Sequence, residues 1–470
     1  MDIFDHILSG RSNMSIYGDS LKGKKVLVVG LGKSGRAAIE VLHNIGANVY
    51  LQDSKKPEDL SDTDKKFLGE NKVSCYLGGV PEDMGSFDLL VVSPGVSPAL
   101  NFIQAAVDAG VEIIGELELA FRLGKGKYLA ITGTNGKTTT TTLVGEIVKN
   151  AKKDTRVVGN IGNPIVTESV KATDDTYLVA ELSSFQLETI DQFRPSVGAI
   201  LNLTPDHMDR HLTMENYGAA KARITANQTA DDFIVVNFDD KESMKLIKGT
   251  QATVVPFSRT EPLKFGAFVL DDMITIVNQD EKKIPICKVD ELQIPGSHNL
   301  ENALAAAAIA YFGGIDPEVI GQTLRVFRGV EHRLEPAGEV EGVKFVNDSK
   351  GTNTDAAIKA IEAIDTPIIL IAGGYDKNAD FSDFIDAFEG KVKGAVLLGA
   401  TAGKIKATAE KKGFNDTIIL KDMASCVEEA FRIAVPGDTV LLSPACASWD
   451  MYTGFEERGR DFKDCVKNLK

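Results

Sequence analysis

The sequence predicts an α/β protein of three units, each a mostly parallel sheet flanked by helices. Three observations carry this. Short apolar runs alternate with helical stretches along almost the whole chain. Glycine-rich turns at Gly30 and Gly133 follow two of those runs and open helices. The 470 residues, 43% hydrophobic and 25% charged, are enough for several domains with real cores.

The first unit, residues 1–117, contains the run Lys24 to Gly30, a helix from about Ser34, a strand near Asn48 to Gln52 and the run Phe87 to Gly95. The second, residues 118–329, begins with Lys127 to Gly133 and a threonine-rich helix, followed by strands in Tyr177 to Ser183 and Val197 to Leu203. Between Asp232 and Val289 the pattern becomes strands and turns, and an alanine-rich helix spans Asn299 to Tyr311. The third, residues 330–470, has strands in Val343 to Asp348, Pro367 to Gly374, Gly394 to Gly399 and Asp438 to Pro444.

Composition narrows the function classes. The apolar stretches, such as Lys25 to Val29 and Ile368 to Ala372, are too short to cross a bilayer, and the start (Met1 to Arg11) lacks a basic region followed by an apolar run. Neither membrane insertion nor secretion is expected. Five scattered cysteines without a CxxC suggest no disulfide framework or zinc cage and fit a reducing cytoplasm. A formal net charge of -15 argues against a nucleic-acid surface, which needs a broad basic face. An anionic ligand must then meet local positive charge, which directs attention to lysines and arginines in glycine-rich loops.

The first such loop is Gly30-Leu31-Gly32-Lys33-Ser34-Gly35, with Asp53 at the end of the next strand. Its glycines permit a tight turn and close approach of backbone N–H groups to a pyrophosphate, and the acidic residue can reach a sugar or base. A nicotinamide cofactor, another nucleotide, and a turn that merely packs a helix on a sheet all remain open on this motif. The second loop, Thr132 to Thr139, is sharper. Backbone amides of Gly133, Thr134, Asn135 and Gly136 would cradle a triphosphate, Lys137 would neutralise its oxygens, and a threonine hydroxyl could help hold Mg²⁺. Ile131 stands where the common P-loop has its first glycine, so this is a shortened variant.

Two phosphate loops suggest a nucleotide-linked substrate in the first unit and ATP in the second. Joining a carboxylate to an amine at neutral pH requires activation as an acyl phosphate, hence a phosphate cradle, Mg²⁺ ligands and cations around the transferring group. Glu181 ends an apolar strand where a carboxylate can face a metal. The segment Asp206-His207-Met208-Asp209-Arg210-His211 offers further ligands. Histidines four apart would suit zinc on a helix, but Pro205 and the acidic neighbours favour a loop at a magnesium or substrate site, with a satisfied polar turn as the plainer reading.

Seven segments extend the pattern: TGTNGKTTT, GNIGNP (Gly159 to Pro164), AELSSFQLE, TPDHMDRH (Thr204 to His211), AAKARI (Ala219 to Ile224), GSHNLENALAA (Gly296 to Ala306) and GVEHRLE (Gly329 to Glu335). In this order they resemble the Mur ligase family, and the resemblance covers essentially the whole chain. NDSKGTN, IAGGYDKNADF and LLSPACASWDMYTGFEERG resemble the branch that adds D-glutamate, and the DNPR motif of diamino-acid-adding relatives is absent. The resemblance implies a Rossmann-like N-terminal domain binding a UDP-substrate, a central P-loop ATPase-like domain, and a Rossmann-like C-terminal domain that binds the amino acid and completes the ATP site. It further implies a cytoplasmic ligase of peptidoglycan synthesis, acting through cell-wall biogenesis on cell shape and division. Such an enzyme uses ATP and Mg²⁺ to join UDP-N-acetylmuramoyl-L-alanine to D-glutamate as a monomer.

Residue by residue, the resemblance places Lys33, Ser34, Asp53, Ser54, Lys55, Ser93, Gly95, Asn160 and His207 around the UDP-muramoyl substrate. Asp53 then reads a uracil nucleotide and not an NAD ribose. Gly133, Thr134, Asn135, Gly136, Lys137, Thr138, Thr139, Asn302, Arg333 and Asp348 would engage ATP. Thr138, Glu181, His207 and Lys221, the last as a CO₂-derived carbamate, would form the metal site, with Lys137, Glu181, His207 and Lys221 as the catalytic set. Lys350, Thr352, Lys377, Ser448 and Phe455 would surround D-glutamate. Without the family, Lys350 and Lys377 read as exposed loop lysines and Lys221 as a solvated charge on a polar helix.

Trp449, the only tryptophan, departs from the aliphatic residue common in relatives and is expected to be a partly buried aromatic closing the pocket wall. Two other function classes stay in view: a nicotinamide oxidoreductase, which would not need the second loop, and a nucleotide-gated binding protein without chemistry.

Overall fold

Strands buried on both faces read as continuous apolar runs, and the three sheets are built around such runs. A computed structural model describes residues 16–377 and 379–469. The Met1 to Arg11 segment therefore lies outside the described residues. The first sheet has five parallel strands in the order Ser74–Leu77, Asn48–Asp53, Lys25–Val29, Leu89–Val92, Glu112–Gly115. Gly30 turns the chain with φ +93°, and a Cβ on Gly35 would lie 1.9 Å from the Gly30 carbonyl oxygen, so glycine is required for the following helix, Lys33–Asn44, to approach the strand.

The second sheet runs Lys283–Lys288, Met273–Val277, Gly266–Leu270, Thr253–Ser258, Phe233–Asn237, Val197–Ile200, Lys127–Thr132, Tyr177–Glu181, Thr155–Gly159. Its first two pairings are antiparallel and the rest parallel. Two helices, Lys137–Asn150 and the alanine-rich Ser297–Phe312, pack together over its centre, the small side chains of Ala303 to Ala308 being wholly buried. The third sheet runs Glu335–Val340, Val343–Asn347, Thr439–Leu442, Ile368–Ala372, Val392–Leu397, Thr417–Ile419, antiparallel only at its first pairing.

Phosphate-loop and substrate segments leave the carboxyl ends of parallel strands, where such sheets bind ligands. The sequence pattern missed Ser74–Leu77, Glu112–Gly115, Thr155–Gly159, Glu335–Val340 and Thr417–Ile419. All five are edge strands, only half covered, so they lack a sustained apolar run. Among the described residues no helix is long and apolar enough to cross a membrane.

Candidate active site

The turn after Lys127–Thr132 holds Gly133 at φ +153° and Gly136 at φ +81°. A Cβ on Gly136 would lie 2.3 Å from Asn302 Oδ1, so the loop can lie against the alanine-rich helix only with glycine there. The helix Lys137–Asn150 opens on Gly136 without a side-chain cap, which leaves its first amides for an anion. Lys137 folds back over the loop, its Nζ donating to the carbonyls of Gly133 (2.9 Å) and Thr134 (2.7 Å), and burial lowers its pKa from the usual value. The Asn202 side chain fastens the loop from below by accepting from the amides of Thr134 and Asn135.

All four expected metal-site groups border this loop. Thr138 Oγ1 donates to Glu181 Oε2 at 2.8 Å, both residues being buried. His207 adopts a left-handed conformation (φ 55°) at the start of Met208–His211, and desolvation holds its imidazole down to about 4, neutral at physiological pH and able to accept a metal. The hydroxyl and carboxylate oxygens suit a hard cation such as Mg²⁺, and the neutral imidazole can ligate the metal or hold one of its waters. His211 turns away, its Nε2 2.9 Å from Ser184 Oγ and its ring stacked on Phe185, so the two histidines form no zinc pair.

Lys221 is not the solvated charge its helix suggested. It is 1% exposed, its Nζ donating to the Gly133 carbonyl at 2.7 Å and lying 4.4 Å from the centre of the Tyr217 ring. Burial pushes its pKa well below the ordinary lysine value, with Lys137 adding repulsion.

The third unit faces the loop. Arg333 Nη1 lies 3.4 Å from Asp348 Oδ1, and Ser443 Oγ donates to Asp348 Oδ2 at 2.8 Å. Asn302, Arg333 and Asp348, together with Asn135, Gly136 and Thr139, line one cavity beside the phosphate loop. A second cavity, of about 430 Å³, brings Lys137, Thr138, Asn160, Glu181 and His207 together with Lys350, Thr352, Lys377, Ser448 and Phe455. Lys350 is partly buried, with Nζ 4.7 Å from the Phe455 ring centre, and desolvation lowers its pKa to about 8. Lys377 is likewise withdrawn from solvent, so neither is the free surface lysine that sequence alone suggested.

In the first unit, the helix Lys33–Asn44 also opens without a side-chain cap. Asp53 accepts from the amides of Leu31 (2.7 Å) and Lys55 (2.9 Å), bracing the glycine loop against the segment that holds Ser54. Ser93 Oγ donates to the Gly30 carbonyl, and Gly95 is the exposed end of the SPG turn. Lys33 Nζ reaches the Gly162 carbonyl at 2.5 Å, joining this loop to the turn that carries Asn160.

Comparison with known proteins bears on this arrangement. Residues 24–115 match the Mur ligase MurD-like N-terminal domain, residues 131–310 the Mur ligase middle domain, and residues 332–446 the Mur ligase glutamate ligase domain. The UDP-N-acetylmuramoylalanine--D-glutamate ligase of Alkaliphilus oremlandii is 52% identical over 454 residues, 96% of this chain and 100% of that protein. The chain belongs to the Mur ligase family. The enzyme of the same name from Clostridioides difficile is 51% identical over 451 residues, again 96% of this chain and 100% of the relative. Among solved structures, the UDP-N-acetylmuramate-alanine ligase MurC of Thermotoga maritima shares the fold with TM-score 0.58 at 20% identity, covering 95% of this chain and 100% of that one. A pseudomurein peptide ligase type C from Methanothermus fervidus does so with TM-score 0.57 at 19% identity, covering 95% and 100%.

Further contacts in this Mur ligase join residues far apart in sequence. Asn353 donates to Asp206, and Asn135 and Thr204 both donate to Asp355, tying the central unit to the C-terminal one. Arg210 spans the first two units by donating to the carbonyls of Pro94 and Val96 while pairing with Glu188. Arg458 is 1% exposed and donates to Ser349 O and to the carbonyls of Cys446 and Ala447, so it binds two loops of the Mur ligase chamber together; burial lowers its pKa to about 10. Thr204, Arg210, Asn353 and Arg458 all lie within the motif segments, yet nothing local to them signals these partners. Trp449 lines the chamber wall as expected but is more open than expected, at 61% exposed. Its neighbour Ser448 takes the inward position, and Trp449 turns to the rim beside Tyr375, with ring centres 5.7 Å apart.

Proposed function

We infer that this Mur ligase forms the amide bond between UDP-N-acetylmuramoyl-L-alanine and D-glutamate, consuming ATP and releasing ADP and phosphate in peptidoglycan precursor synthesis. Its full-length similarity to relatives bearing that name supports the reaction. The observation that carries the reading is the shared chamber, in which the phosphate loop meets two lysines and Ser448 of the third unit.

In this reading residues 1–117 hold the UDP-substrate, 118–329 hold ATP, and 330–470 bring the amino acid and complete the ATP site. Lys33, Ser34, Asp53, Ser54, Lys55, Ser93, Gly95, Asn160 and His207 bind the nucleotide-sugar. Asn302, Arg333 and Asp348 hold the nucleoside side of ATP, and the loop Gly133 to Thr139 holds its phosphates. Lys137 leaves the carbonyls of Gly133 and Thr134 to meet the γ-phosphate. Phosphoryl transfer to the muramoyl carboxylate then gives an acyl phosphate and ADP. The amine of D-glutamate attacks its carbonyl carbon, the C–N bond forms, and the C–O bond to phosphate breaks. Lys377 and Thr352 hold one carboxylate of D-glutamate; Ser448 and the backbone near Phe455 hold the other, with Lys350 beside them. Ligases of this family use ATP and Mg²⁺. Thr138, Glu181 and His207 fit Mg²⁺, which supplies charge neutralisation at the phosphates when bound.

Lys221 joins that site as a carbamate. Burial lowers its pKa well below the ordinary lysine value, which favours the neutral amine, the form that adds to CO₂ with loss of one proton. The enzyme acts in the cytoplasm as a monomer. Phosphate release measured with a panel of UDP-muramoyl acceptors and D- and L-amino acids tests the activity. Release requires UDP-N-acetylmuramoyl-L-alanine and D-glutamate together; equal release with L-glutamate, or with the sugar lacking L-alanine, would overturn it.

A further inference from the structure

A carboxylate sits in the chamber where the reading above brings a dianionic amino acid. Asp206 lies on the loop before Met208–His211 and lines the same cavity as Lys137, Lys350, Lys377 and Ser448. Its Oδ1 is 3.4 Å from Lys377 Nζ and accepts from the His207 amide at 2.9 Å; its Oδ2 accepts from Asn353 Nδ2 at 3.2 Å. The side chains of Asp206 and Lys377 are 11% and 13% exposed, so water screens the pair weakly.

By charge alone Asp206 should repel glutamate. The ligand, however, carries one positive group, the α-ammonium, bonded to the carbon that also bears a carboxylate. A cation and an anion held side by side are what such a zwitterion needs, and Lys377 and Asp206 are such a pair, contributed by two different units. We propose that Asp206 binds the α-ammonium of the incoming amino acid while Lys377 binds the adjacent carboxylate, the two residues exchanging their contact with each other for the ligand. The proposal rests on the D-glutamate reading. It gives the site a way to distinguish an amino acid from a dicarboxylate of the same length, and it orients the nitrogen within the chamber that also holds the phosphate loop.

Asp206→Asn keeps the shape and can still accept from the His207 amide, so folding is preserved while the charge is removed. Removing one charged partner of a substrate contact raises KM for D-glutamate about ten- to hundredfold. Glutarate, which has both carboxylates and no amine, is the discriminating probe. As a competitive inhibitor against D-glutamate it binds the variant as tightly as the parent, or more tightly, because a repulsive carboxylate is gone. Equal weakening of D-glutamate and glutarate would overturn the proposal by showing a structural role for Asp206. An unchanged KM for D-glutamate with a raised Mg²⁺ requirement would overturn it in favour of a metal-site role. The parent is assayed alongside: no D-glutamate turnover by the parent would refute the activity itself, whereas normal parental turnover with either of those variant results would refute only the role of Asp206.

Discussion

Lys350 gives a pH dependence that follows from where the chain puts it. Its ammonium sits in the chamber with Phe455 against it, and desolvation, opposed by Glu181 and aided by Arg333 and Lys137, brings its pKa from 10.5 down to about 8. That difference represents on the order of 3 kcal/mol against the charged form. In the free enzyme Lys350 is therefore charged below pH 8 and neutral above it. If the charge supports glutamate binding, kcat/KM for D-glutamate falls above pH 8 by about tenfold per pH unit. Deprotonation of the attacking amine works in the opposite direction in both enzymes, so the falling limb is read from the ratio of parent to Lys350→Arg rates. A guanidinium stays charged throughout this range. The assay is initial phosphate release with ATP and UDP-N-acetylmuramoyl-L-alanine well below saturation, so that the rate reports the free enzyme, and with D-glutamate varied from pH 6.5 to about 9.5, chosen to straddle the shifted pKa. Lys350→Arg lowers the maximum, since the fork fits the space poorly, but moves the falling limb upward. A falling limb at the same pH in both enzymes would refute the assignment.

Three other outcomes are expected. Lys221→Ala loses most activity and regains part of it with added acetate, Lys221→Arg stays inactive, and ¹³C NMR of the parent under ¹³CO₂ shows a carbamate resonance absent from both variants; normal turnover by Lys221→Ala would contradict this. Glu116, buried where it accepts from the Val166 amide, has its carboxyl pushed up from 4.5 to about 7 by desolvation. Between those values the folded state keeps a proton that the unfolded state has released, so stability falls by up to about 3 kcal/mol as pH rises through this window and is level above it. Glu116→Gln removes that fall, read as a smaller loss of Tm between pH 5 and 8; parallel losses would count against the buried acid. Calorimetry on the first glycine loop finds the UDP-sugar acceptor binding more tightly than NAD, and Lys33→Ala weakens the acceptor by severalfold; tighter NAD binding would reverse the reading of Asp53.

Much of this fold was legible because its central strands are covered on both faces. Lys127–Thr132 and Tyr177–Glu181 appear as apolar runs, and the glycine turns follow from the positive φ at Gly30, Gly133 and Gly136. The edges were not legible: Ser74–Leu77 and Thr417–Ile419 are only four and three residues long and little buried, Ile418 and Ile419 remaining exposed. In the site, the groups carried by one loop could be read together, as with Lys137 and Thr138. Pairings between units could not. Asp206 and Lys377 are 171 residues apart, and Asn135 and Asp355 are 220 apart; nothing local to either partner signals the other. Burial was equally hidden for Lys221, whose helix has almost no apolar stripe, because the phosphate loop, together with Tyr217 one turn back, removes it from water.

Oxygen transfer tests the central claim most directly. The muramoyl acceptor is prepared with both oxygens of its terminal carboxylate as ¹⁸O and turned over with ATP and D-glutamate, and both products are weighed by mass spectrometry. Activation through an acyl phosphate leaves one label in the new amide carbonyl and delivers the other to inorganic phosphate, one labelled phosphate for each amide formed. Unlabelled phosphate, or phosphate released without the D-glutamyl product, would contradict the account.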